Sequence, residues 1–124
     1  RIGFDEPLAH QIEAGADIFL MPSLYEPCGL NQMFSLKYGT IPIVRAVGGL
    51  KDTVQHYDGD AETGTGFVFK PYTASALLDA ADQSLAVFGN EKAWSALQRR
   101  AMAMDFSWDR SAKRYVDLYR QLVN

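Results

Sequence analysis

The sequence predicts an α/β fold built on a parallel sheet. Three short apolar runs, at residues 17–21, 41–44 and 66–69, read as buried strands. Helical patterns separate them, which is the order that gives βαβ units with right-handed crossovers. Proline and glycine fall where helices should start and stop.

Residues 5–15, DEPLAHQIEAG, predict a short helix, with Asp5 as its cap, Pro7 in its first turn and Gly15 at its end. Nearly every side chain of 17–21 is apolar, as a strand covered on both faces requires. The next helix is expected over 27–38, opened by Pro27 and stopped by Gly39. Strand 41–44 tolerates Pro42 near its start. Gly48-Gly49 makes a tight turn into a short helix, 50–54. The polar, glycine-rich run QHYDGDAETGTG, 55–66, is a loop. Thr73 caps a helix to about residue 88, with apolar residues at 74, 77, 78, 81, 85 and 88. A further helix is expected over 91–102. The last, 107–122, carries Trp108, Ala112, Tyr115, Val116, Tyr119 and Leu122 on one stripe. Three strands are few for a doubly wound sheet. The chain opens on Arg1 rather than methionine, at what reads as a strand end, Ile2-Gly3-Phe4. The expectation is a piece of a longer protein, with further strands upstream.

Length and composition bound the function. The 124 residues suit one domain, and 48% hydrophobic with 22% charged residues fits a folded, soluble chain. A net charge of −3 argues against broad nucleic-acid binding. No stretch is apolar enough to span a membrane, and no signal-peptide pattern opens the chain. One cysteine cannot form an internal disulfide, so a cytoplasmic setting is expected. No phosphate-loop or dinucleotide fingerprint is present. One cysteine and two scattered histidines lack metal-ligand spacing, so no metal and no cofactor is expected. Cys28 has no Cys–His context and reads as a small buried residue rather than a nucleophile. His10 suits a packed or surface position as well as a ligand contact.

The segment SLYEPCGLNQ, 23–32, follows the first strand and holds the chemistry. In an open parallel sheet, ligands bind beyond the carboxyl ends of the strands. Pro27 lacks an N–H that a first helical turn would leave unpaired anyway. The amides of Cys28, Gly29 and Leu30 are then free, with partial positive charge, and suit phosphate or another electron-rich oxygen. Gly29 has no Cβ to keep a ligand off the backbone. Glu26 beside them can accept hydrogen bonds from sugar hydroxyls. The same features also fit a plain capping acid favoured by the helix dipole.

The run ADIFLMPSLYEPCGLNQMFSLKYGTIPIVRAVGGLKDTV, 16–54, carries a resemblance, extended by IGF at 2–4, His10, GTGFVF at 64–69 and AMAMDFSWDRSAKRY at 101–115. The chain closely resembles the bacterial glycogen synthase and plant starch synthase family, retaining glucosyltransferases of GT-B architecture. The resemblance implies a Rossmann-like parallel sheet with flanking helices, the later part of the C-terminal, donor-binding lobe. It implies transfer of glucose from ADP-glucose, with UDP-glucose possible, to the non-reducing end of an α-1,4-glucan. It implies that residues 1–124 are a partial nucleotide-sugar-binding domain, and that helix 107–124 packs toward an N-terminal lobe not present here. The setting is cytoplasmic, or plastidial in a plant.

By the resemblance, Glu26 binds sugar hydroxyls and the backbone donors of Cys28, Gly29 and Leu30 hold the glucose hydroxyls, with Leu30 and Asn31 reaching toward the distal phosphate. Phe4 falls where the family places an aromatic that stacks on the adenine; packing at the strand end is its other reading. The second glutamate of many GT-B enzymes, eight positions after the first, is Phe34 here, which fits the narrower family. Asn31 stands where threonine is common. The family's catalytic Arg and Lys, which neutralise the leaving diphosphate, precede this segment, so no catalytic residue is expected within it. The alternative is a non-catalytic module that binds a sugar nucleotide or glucan. For the stripe on 107–122, contact with another lobe and packing on its own domain are both open.

Overall fold

The computed structural model describes residues 2–123. Three strands, β1 (Ile18–Met21), β2 (Ile41–Arg45) and β3 (Phe67–Phe69), form one parallel sheet in the order β1-β2-β3. Ile18 pairs with Ile41 and Met21 with Val44; Ile43 pairs with Phe67 and Arg45 with Phe69. The helices are α1 (Glu6–Gly15), α2 (Asn31–Tyr38), α3 (Gly48–Thr53), α4 (Ala74–Phe88), α5 (Glu91–Met102) and α6 (Trp108–Leu122). The α/β class expected from the apolar runs is therefore the observed one.

The middle strand sets the core. Ile41, Pro42, Ile43 and Val44 are all buried. Leu36 of α2, Leu50 of α3, Phe67 and Phe69 of β3, and Trp94, Leu97 and Ala101 of α5 close around them. Pro42 survives in a central strand because pairing with β3 begins one residue later, at Ile43. The caps follow the sequence reading: Leu8 N–H donates to Asp5 at 3.1 Å and Ala76 N–H to the Thr73 hydroxyl at 3.3 Å.

Four expectations are corrected. β1 is not buried on both faces, because it is the sheet edge; Leu20 is 54% exposed and its neighbours are half-buried. Residues 2–4 form no strand and lie exposed. α2 begins at Asn31, four residues after Pro27, because Gly29 adopts a left-handed φ of 74° that a right-handed helix cannot include. α3 starts at Gly48, two residues earlier than expected.

The loop 55–66 is tied down. Tyr57 N–H donates to Gly66 O at 2.7 Å, and Arg100 donates to Gly64 O at 3.1 Å while lying over the Tyr57 ring. In contrast, α6 buries nothing: Trp108 is 86% exposed, and Tyr115, Val116, Leu118, Tyr119 and Leu122 are exposed too. The stripe therefore covers none of its own domain's core in this structure. Asn124, which ends the expected 107–124 segment, lies outside the described residues.

Two stability outcomes follow from this packing. Leu97 is fully buried, so Leu97→Ala should cost about 2–5 kcal/mol in urea unfolding. Burial raises the Glu13 carboxyl pKa above its ordinary 4.5, partly offset by His10, and its Oε2 has no partner among the described residues. A carboxyl pKa raised on folding means that the folded state binds more protons, so stability rises as pH falls through the folded value toward 4.5. Thermal melts should show Glu13→Gln above wild type at pH 7, with the gap closing at acid pH.

Candidate functional site

The loops leaving the three strands share the carboxyl edge of the sheet, and Arg45 at the end of β2 ties them. Its Nε donates to Ser23 O at 3.0 Å and its Nη2 to Leu24 O at 2.7 Å, both in the loop after β1. Its Nη1 reaches Lys70 O at 3.4 Å after β3, and the guanidinium lies 5.4 Å from the Tyr72 ring centroid. An arginine fork can serve several carbonyls at once in a fixed plane, which a lysine cannot.

Within this frame the segment Glu26–Asn31 is an open turn. Glu26 is half-buried, while Cys28, Leu30 and Asn31 are exposed. Exposed Cys28 corrects the expectation of a small buried residue; it lies in the turn ahead of α2 and so never enters the helix–sheet interface. The amides of Cys28, Gly29 and Leu30 have no acceptor among the described residues, nor do those of Asn31 and Gln32 in the first turn of α2. The donors thus come from a left-handed turn joined to a helix start, rather than from a helix opened by Pro27.

Glycine pairs make this turn possible. A Cβ on Gly48 would overlap the Glu26 carbonyl, and one on Gly49 the Cys28 carbonyl. Gly49 N–H donates to Glu26 O at 3.3 Å. Beneath the turn lies Gln32, fully buried. Its Nε2 donates to Cys28 O at 3.2 Å, Gly29 O at 3.0 Å and the Thr53 hydroxyl at 3.2 Å. Thr53 in turn donates to Gly49 O at 2.6 Å. Sequence reasoning passed over both Gln32 and Arg45, because a polar residue in a first helical turn or at a strand end reads as solvated.

Phe4 is 96% exposed, so it does not pack at a strand end. It precedes α1 in the chain. His10 is taken up in packing: its Nδ1 lies 3.2 Å from the Tyr38 hydroxyl, and its ring meets Phe34 edge-on at 5.3 Å. Among the described residues no group of three or more His, Cys, Asp or Glu could hold a metal ion. No helix there is long and apolar enough to cross a membrane.

A family model described as glycosyl transferases group 1 matches residues 3–96. The chain belongs to this family. This glycosyltransferase chain is 65% identical over 123 residues to a glycogen synthase of Anaeromyxobacter sp. (strain K), covering 99% of this chain and 26% of that protein. It is 53% identical over 121 residues to a glycogen synthase of Koribacter versatilis, covering 98% and 25%. The catalytic domain of starch synthase IV from Arabidopsis thaliana, bound to ADP and acarbose, superposes with a TM-score of 0.87 at 38% identity, covering 97% of this chain and 25% of that one. Sucrose-phosphate synthase from Thermosynechococcus elongatus gives 0.66 at 32% identity, covering 98% and 29%. The glycosyltransferase chain thus spans about a quarter of the length of the curated relatives it matches. The resemblance to glycogen and starch synthases and the GT-B fold are borne out.

The glycine pair gives a direct check on the site. Gly49→Ala forces its methyl into the Cys28 carbonyl, backbone against backbone. Such overpacking should cost about 1–3 kcal/mol in chemical denaturation, and hydrogen exchange at residues 28–30 should quicken.

Proposed function

We propose that this chain is the donor-binding part of a glycogen or starch synthase, which transfers glucose from ADP-glucose to the non-reducing end of an α-1,4-glucan with retention. The observation that carries this reading is the run of amides from Cys28 onward that have no acceptor among the described residues, set beside half-buried Glu26 at the carboxyl edge of the sheet. Amides of this kind suit the diphosphate and the oxygens of the sugar, because they offer fixed partial positive charge that needs no reorganisation. Glu26 accepts from glucose hydroxyls, and Asn31 sits at the distal end of the turn, toward the phosphate. Phe4 stands free in solvent with its face available to a base. The relatives named glycogen synthase and the ADP carried by the starch synthase IV structure support ADP-glucose over UDP-glucose.

The same chemistry limits the fragment. A departing nucleoside diphosphate develops charge that partial dipoles alone do not neutralise, and full cations belong there. In this reading they come from outside the chain, as does the lobe that α6 meets. The chain by itself is therefore expected to elongate no glucan in a radiolabelled transfer assay.

The deciding measurement is calorimetric titration of the full-length protein with ADP-glucose and UDP-glucose, wild type against Glu26→Ala. Loss of charge-assisted contacts to hydroxyls should weaken ADP-glucose binding by about 1.5–3 kcal/mol. Unchanged affinity for both donors removes Glu26 from the site.

A further inference from the structure

We infer that Gln32 is a positioning residue for the donor site, holding the turn's carbonyls inward so that its amides face out, with Thr53 as its relay. The inference rests on the donor-site reading above. A trans peptide is planar, and its C=O and N–H point in opposite directions. The carbonyl of Cys28 shares a peptide plane with the N–H of Gly29, and the carbonyl of Gly29 with the N–H of Leu30. Gln32 Nε2 holds both carbonyls from beneath, at 3.2 and 3.0 Å. Drawing them inward turns the Gly29 and Leu30 N–H groups outward, where they have no acceptor among the described residues.

The clamp is itself anchored. Thr53 gives its proton to Gly49 O at 2.6 Å, which leaves its hydroxyl oxygen to accept from Gln32 Nε2 at 3.2 Å. Gly49 N–H holds the third turn carbonyl, Glu26 O, at 3.3 Å. The start of α3 and the first turn of α2 thus grip the turn from two sides through three of its carbonyls.

Packing alone does not account for a glutamine here. Gln32 is fully buried and its Oε1 has no donor among the described residues. A methionine would fill the space without burying an orphaned carbonyl oxygen. That oxygen lies 2.5 Å from where a Cβ on Gly29 would stand, so the side chain presses directly on the turn. What glutamine adds is the donor pair that sets peptide orientation.

The test uses the full-length protein carrying Gln32→Met, Thr53→Val, Thr53→Ser or Glu26→Ala, each checked for a folded state by circular dichroism. Donor KM, glucan KM and kcat are measured, together with calorimetric affinity for ADP alone. Gln32→Met and Thr53→Val should each raise the ADP-glucose KM and weaken ADP binding by about tenfold, as misaimed donors would. Glucan KM should stay at the wild-type value, and Thr53→Ser, which keeps the hydroxyl, should restore donor KM. A folded Gln32→Met with wild-type donor KM and ADP affinity overturns the inference, as does Thr53→Ser behaving like Thr53→Val. Should Gln32→Met fail to fold, the Thr53 pair decides by the same criteria. Glu26→Ala separates the two levels: unchanged donor KM there overturns the donor-site reading itself. A loss in Glu26→Ala beside wild-type Gln32→Met and Thr53→Val overturns only the role of Gln32.

Discussion

The contact on which this architecture depends is made without side chains. Gly48 and Gly49 lie against the backbone of Glu26 and Cys28 so closely that any Cβ would collide with a carbonyl. Two loops that leave neighbouring parallel strands are thereby locked together at the sheet's carboxyl edge. The lock fixes where the left-handed Gly29 falls and so where α2 begins. Arg45 extends it to the loop after β3. The edge of a parallel sheet is ordinarily its most mobile border, since loops carry few apolar contacts; here short backbone approaches and one guanidinium replace such contacts.

The elements most legible in the sequence were those with local signals. α4 and α5 lie where Thr73, the 3.6-residue spacing and the run 91–102 place them, because caps and amphipathic period act within a turn or two. β2 and β3 were equally plain, being continuous apolar runs between turn residues. The start of α2 was not. Pro27 carries the usual mark of a first helical residue, but Gly29 two places later takes a conformation that only its tertiary setting dictates. The burial of β1 was overestimated for a similar reason, since strand composition does not reveal whether a neighbour stands beside it.

The candidate site was half legible. Glu26, Cys28, Gly29, Leu30 and Asn31 stand out because acid, proline and glycine rarely cluster after an apolar strand. Gln32 and Thr53 do not stand out, since a polar residue near a helix end is normally solvated. Their significance is a matter of three-dimensional satisfaction: a buried amide that reaches three acceptors, one of them 21 residues away in sequence. Phe4 shows the opposite case. Its family position is readable, yet the described structure leaves its ring untouched by the domain.

Cys28 is the only thiol in the chain, and it lies exposed beside Gly29. A maleimide dye attached at that sulfur would stand at the mouth of the turn, reporting its hydration and crowding directly. The protein therefore carries a built-in spectroscopic address within a residue or two of its most constrained backbone.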